Sequence, residues 1–188
     1  VPEFIQKEIF TVFDCAQPFA DGVDTARFRE SVEKALGRER TTIGTLNEKT
    51  IHNTLKCYYC NEADHEARIG DFYADGAGEN GIFEIQTANY THLVKKLSHM
   101  LHACHVTVVY PYEKKVHNYA VSEKTGEILS VTSHTDSSYS KFFLELYRIK
   151  AFLTNPNLTI RVAHLELDKK IFYKDERRVR RKGTKREK

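Results

Sequence analysis

No stretch of this chain approaches the ~18–20 consecutive apolar residues that a membrane-spanning helix requires. No positively charged stretch followed by an apolar one stands near the start, so no export signal is expected. Cysteine is scarce. The four present, Cys15, Cys57, Cys60 and Cys104, suit a reducing, cytoplasmic setting better than a disulfide scaffold. A second Cys-x-x-Cys is missing as well. Cys57-Tyr58-Tyr59-Cys60 stands alone, with His65, His99, His102, Cys104 and His105 further on. Structural zinc prefers sets of four Cys and His ligands on a turn, whereas this pair falls inside an expected helix. Small buried thiols are the better reading. Redox use needs a helix N-terminus to lower a thiol pKa, and the pair lies near a C-terminus. There is no internal repeat.

What is present describes a soluble globular domain. Of the 188 residues, 40% are apolar and 29% charged, enough to build one core. The net charge of +3 is unevenly spread. Residues 174–188 hold nine Lys/Arg against three Asp/Glu, a net of +6, which leaves −3 for the rest. The expected organisation is an N-terminal extension and helix over residues 1–40, a core over 41–173 and a basic, solvated tail over 174–188.

Residues 5–13 are apolar and fit helix or strand equally. Asp24 or Thr25 caps an expected helix over residues 24–36, with Phe28, Val32 and Leu36 on one stripe and Gly37 at its end. Thr45 and Glu48 fit a capping box that opens a helix over residues 48–59. Ile51, Leu55, Tyr58 and Tyr59 make its buried side. Glu48, His52 and Lys56 form a polar line at i, i+4, i+8. Residues 67–75 and 81–87 read as strands. Thr87 or Asn89 caps a helix over residues 90–103 with Leu93, Leu97, Met100 and Leu101 inward. Residues 106–110 are a buried strand that Pro111 ends. Strand, helix and buried strand make a β-α-β unit, so the sheet is partly parallel. A second hairpin (residues 115–121 and 127–131), a loop (132–140), a helix (141–153) and a last strand (158–167) follow.

The chemistry gathers between residues 75 and 86. Side chains alternate faces along a strand, so Ile82, Glu84 and Gln86 share a face. Glu84, set between Phe83 and Ile85, lies close to buried surface. Buried carboxylates are rare unless paired or metal-bound. Mg²⁺ or Mn²⁺ needs only one or two carboxylates plus substrate phosphate. Asp75, Glu84 and the main-chain carbonyl of Ile85 are the candidate ligands, and Gln86 is placed to orient a water. The bland alternative is an acidic surface hairpin. His52 and Lys56 are candidates to touch a phosphate from the preceding helix, as are Tyr90, Lys95 and Lys96 from the following one.

This succession resembles the core of the PD-(D/E)xK nuclease superfamily. A helix carries Glu48, a hairpin carries Asp75, Glu84-Ile85-Gln86 follows, then a helix and a buried strand. The resemblance covers roughly residues 44–110. It implies an α/β restriction-endonuclease-like fold with a central mixed β-sheet flanked by helices. Asp75 matches the motif Asp, Glu84 the motif Glu and Glu48 the helix Glu. The implied activity is Mg²⁺- or Mn²⁺-dependent hydrolysis of phosphodiesters, with DNA as the substrate and a possible homodimer. Gln86 departs from the pattern, because the family usually has Lys there. A neutral amide has no ammonium charge to offer, and Lys95 or Lys96 is the candidate substitute. An inactive scaffold that binds nucleic acid or a protein remains the alternative. In the tail, Arg177, Arg178, Arg180, Arg181 and Lys182 would bind phosphates without sequence preference.

Overall fold

The computed structural model describes residues 10–12, 23–39, 46–78, 81–136 and 138–174, with backbone only at residues 10–12, 38–39 and 46–49. The elements are β1 (Phe10–Val12), α1 (Thr25–Glu39), α2 (Leu46–Tyr59), β2 (His65–Ile69), β3 (Phe72–Gly78), β4 (Gly81–Ile85), α3 (Thr91–Ala103), β5 (Val106–Ser122), β6 (Ile128–Thr135), α4 (Ser140–Arg148) and β7 (Leu158–Tyr173), with 3-10 turns at Glu62–Asp64 and Lys150–Phe152. The strands hydrogen-bond in the order β1-β7-β5-β4-β3-β2, and β6 pairs with β5. The fold is α/β with an open, mixed sheet flanked by helices. β3 runs antiparallel to both of its neighbours, β2 and β4, whereas β4 and β5 run parallel, Glu84 opposite Val108. That parallel pair is the β-α-β unit expected from the sequence. No helix among the described residues is long and apolar enough to cross a membrane.

The chain forms two compact units. One comprises Val12–Tyr112 and Ser138–His164, the other Val1–Thr11, Glu113–Ser137 and Leu165–Lys188. The first holds a core in which Leu93, Leu97, Met100 and Leu101 of α3 meet Val106 and Val108 of β5, Ile82 of β4 and Phe142 and Ile149 from the α4 region. The α3 stripe is the one its 3.6-residue spacing implied. In the second unit β5 and β6 form a hairpin that pairs His117 with Ser133. There Glu166 of β7 takes hydrogen bonds from Lys115 at 2.7 Å and His117 at 2.9 Å, which hold its carboxyl below the usual range.

Several expected boundaries are corrected. Residues 67–75 are not one strand. The chain turns at Gly70, whose φ is +60°, and pairs Ile69 with Phe72 in a tight hairpin. Pro111 does not end β5, which continues to Ser122. Val109 is the last residue to pair with β4, its carbonyl accepting from Gln86 N–H. Pro111 points to that same side, two residues on, where β4 has ended, so its missing N–H breaks no ladder bond. Residues 132–135 belong to β6 rather than to a loop.

Two glycines let elements approach. A Cβ at Gly76 of β3 would stand 2.3 Å from Cys60 Sγ and 2.7 Å from Cys60 Cβ, so Cys60, the residue after α2, rests on bare backbone. Gly81 has φ +118°, and a Cβ there would meet the His105 carbonyl oxygen at 2.2 Å. Gly76→Ala is expected to destabilise the protein by about 1–3 kcal/mol, because the new methyl forces Cys60 off β3. Urea denaturation measures it, and an unchanged midpoint would contradict this packing.

Candidate functional site

Asp75 and Glu84 come together because β3 and β4 part at their ends. The ladder runs from Gly78–Gly81 to Gly76–Phe83. One step on, Asp75 Oδ2 accepts a hydrogen bond from Ile85 N–H at 2.7 Å. A side-chain oxygen has taken the place of a backbone acceptor. N–H and C=O of one strand residue point to the same side, so the Ile85 carbonyl also faces the gap.

Each carboxylate has a partner from a different helix. His52 of α2 bonds Asp75 Oδ1 through Nε2 at 3.2 Å. Lys96 of α3 donates to both oxygens of Glu84, each at 2.9 Å. Glu84 is 2% exposed, whereas the Lys96 side chain is 30% exposed. Thus a half-open ammonium caps a closed carboxylate.

The environments drive the two acids apart. Burial pushes Glu84 up to about 7 and the Asp75 charge adds to it, against the pull of Lys96 and His52. Burial raises Asp75 too. There the His52 hydrogen bond and charge, the Ile85 N–H and the Lys56 charge outweigh it and hold the carboxyl below its usual value. Neighbouring titratable groups whose environments separate them are a mark of functional sites.

The other expected site residues are placed as follows. Glu48 lies in α2, but its side chain falls outside the described residues. The Gln86 amide folds back to donate to the Ala88 carbonyl, bracing the loop before α3 instead of aiming at the carboxylates. Lys56 is a correction. It is 6% exposed and pairs with Glu66, so it turns inward and offers nothing to a phosphate. Tyr90 is another, being fully buried with its ring edge-on to Tyr110. Lys95 is exposed on α3. Residues 177–182 lie outside the described residues.

A hard divalent ion would find two carboxylates and a main-chain carbonyl here, a donor set of the right chemistry. Among the described residues no group of three His, Cys, Asp or Glu side chains stands close enough to hold a metal alone. Cys57 and Cys60 are buried, and burial followed by the Asp64 and Asp75 charges pushes the Cys60 thiol up to about 11. His99 packs on Phe72, and His105 bonds Thr159.

A family model described as "Domain of unknown function (DUF8091)" matches residues 49–188. The chain belongs to this family. His52, Asp75, Glu84 and Lys96 all lie in the DUF8091 span, and Glu48 stands one residue before it. The chain is also similar to a protein of Treponema pallidum (strain Nichols) described as "Uncharacterized protein", 25% identical over 126 residues, 66% of this chain and 50% of that protein. The chain thus spans about half the length of that curated relative. No solved structure matches.

Proposed function

We propose that this DUF8091 chain is a metal-dependent phosphodiester hydrolase acting on DNA, with Asp75, Glu84 and Lys96 at its centre. The observation that carries the reading is the two-pronged pairing of Lys96 with Glu84 beside Asp75. The resemblance calls for an ammonium two residues after the motif Glu, where Gln86 stands. Here the ammonium reaches the same carboxylate from α3. The succession α2, β2, β3, β4, α3, β5 with β4 parallel to β5 supports the restriction-endonuclease-like assignment.

Asp75, Glu84 and the Ile85 carbonyl would hold a Mg²⁺ or Mn²⁺ ion, which would supply positive charge to the scissile phosphate and water activation. Lys96 fixes the orientation of Glu84 and holds a proton and a positive charge at its Nζ, open to solvent on one side. Charge held ready in a partly dry site stabilises a developing phosphorane more than the same charge in water does. His52 keeps Asp75 ionised and oriented. Gln86 has no part in the chemistry, and its water-orienting role passes to Lys96.

A second reading, a non-catalytic nucleic-acid-binding module, is favoured by one observation. All four carboxylate oxygens already have protein donors, namely His52, Ile85 N–H and Lys96 twice. Calorimetric titration with Mn²⁺ separates the two. The catalytic reading expects binding by the unaltered chain and none by Asp75→Ala. Equal heats from both, or none from either, would leave a purely structural network.

A further inference from the structure

The first unit carries a surface that neither its core nor the carboxylate pair uses. α4 buries Phe142 against Tyr110 and turns the next side chains outward. Phe143 is 61% exposed and Tyr147 66%, and a spacing of i, i+4 puts both rings on one face. Lys150 donates to the Tyr147 hydroxyl at 3.0 Å, with its Nζ 4.1 Å from the ring centroid. Lys141 is exposed on the same helix but, two positions before Phe143, lies on another face. The helix's acid, Glu145, is turned inward, where it accepts from Tyr90 N–H at 2.8 Å and pairs with Arg148. The face therefore presents the two rings, the Lys150 ammonium and the exposed side chain of Leu144, with Glu145 turned away from it.

We infer that this face is a stacking platform for single-stranded nucleic acid, which delivers a strand to the carboxylate site. The inference rests on the hydrolase reading for its purpose, and on α4 alone for its chemistry. Protruding rings beside an ammonium group fit a polyanion with exposed π-faces. In a duplex those faces are covered by neighbouring bases, so a single strand or a frayed end is the complementary ligand. Glu145 ties the platform to the site. The amide it caps opens α3, the helix that carries Lys96, and follows directly on the loop after Glu84.

The test is fluorescence anisotropy in EDTA, where no cleavage occurs, with a labelled oligodeoxythymidylate and a labelled duplex. Unaltered chain, Phe143→Ser/Tyr147→Ser and Lys150→Met are compared. Both replaced rings are exposed, so the core stays intact, and circular dichroism verifies this. Single-strand affinity is expected to fall about tenfold or more for the ring variant, and to fall for Lys150→Met with a weaker salt dependence. Equal single-strand affinity in the unaltered chain and the ring variant would overturn the inference. So would a ring variant that changes sedimentation from dimer to monomer without changing nucleic-acid affinity, since the face would then be a self-interface. Failure of Mn²⁺ binding in calorimetry bears on the carboxylate site only, so the two proposals fail separately.

Discussion

Lys96→Met is expected to lower phosphodiester cleavage by a factor of about 10²–10³, the usual result of removing one charge-stabilising donor from a catalytic centre. The reason lies in geometry. Lys96 holds both oxygens of Glu84 and keeps its own side chain partly open, so on the proposed reading one ammonium serves the ligand and the substrate. Lys96→Arg keeps the charge but spreads it over a planar fork, and should recover only part of the rate. The stability effect has a distinctive shape. Deleting one partner of a buried pair costs about 3–5 kcal/mol when the survivor stays ionised. Glu84 has an escape, because burial and then the Asp75 charge already place its pKa at about 7. Without Lys96 it takes up a proton at higher pH. Urea denaturation should therefore show a large loss near pH 8 and a smaller one near pH 6. A loss independent of pH would mean that Lys96 acts by packing alone.

Glu84→Gln is expected to abolish cleavage and to change the pH dependence of stability. The carboxyl is raised in the folded protein from 4.5 to about 7. Its stabilising contribution is therefore complete below pH 4.5 and is lost as pH rises to about 7. At about 1.4 kcal/mol per unit of pKa separation, the loss is about 3 kcal/mol. The neutral amide cannot titrate, so the stability of the variant relative to the unaltered chain should rise by about that amount between those limits. Asp75 works in the opposite sense. Held below its ordinary value, it adds stability above that value and loses it as the solution is acidified. A stability difference that stays flat with pH for Glu84→Gln would show that Glu84 is not the strained acid described above.

Much of the site was legible because strand and helix periods are strict. Glu84 shares a strand face with Ile82, and both are almost fully buried. Leu93, Leu97, Met100 and Leu101 had to share a stripe, and that stripe places Lys96 on the flank that meets β4. Lys96 was, with Lys95, a candidate cation through its nearness in sequence, but its bond to Glu84 depends on how α3 docks. Lys56 and Tyr90 misled for the opposite reason. Both look polar and available in sequence, and both are claimed by tertiary partners, Lys56 by Glu66 across to β2 and Tyr90 by the ring of Tyr110. The turn at Gly70 was missed because alternation runs on through it, and only the positive φ reveals it. Pro111 signalled a strand end that did not occur, since its side of the strand has no partner at that point. The outward face of α4 was unreadable, because Phe142 and Phe143 are identical in kind and only packing decides which one enters the core.

The most direct measurement is cleavage of a plasmid by the purified chain in Mn²⁺, run beside Asp75→Asn and Lys96→Met. Nicking or linearisation by the unaltered chain, absent from both variants at equal folded concentration, is the predicted result. Intact plasmid and intact single-stranded DNA under Mg²⁺ and Mn²⁺ alike, with all three proteins folded, would contradict the assignment of Asp75, Glu84 and Lys96 as a hydrolytic centre.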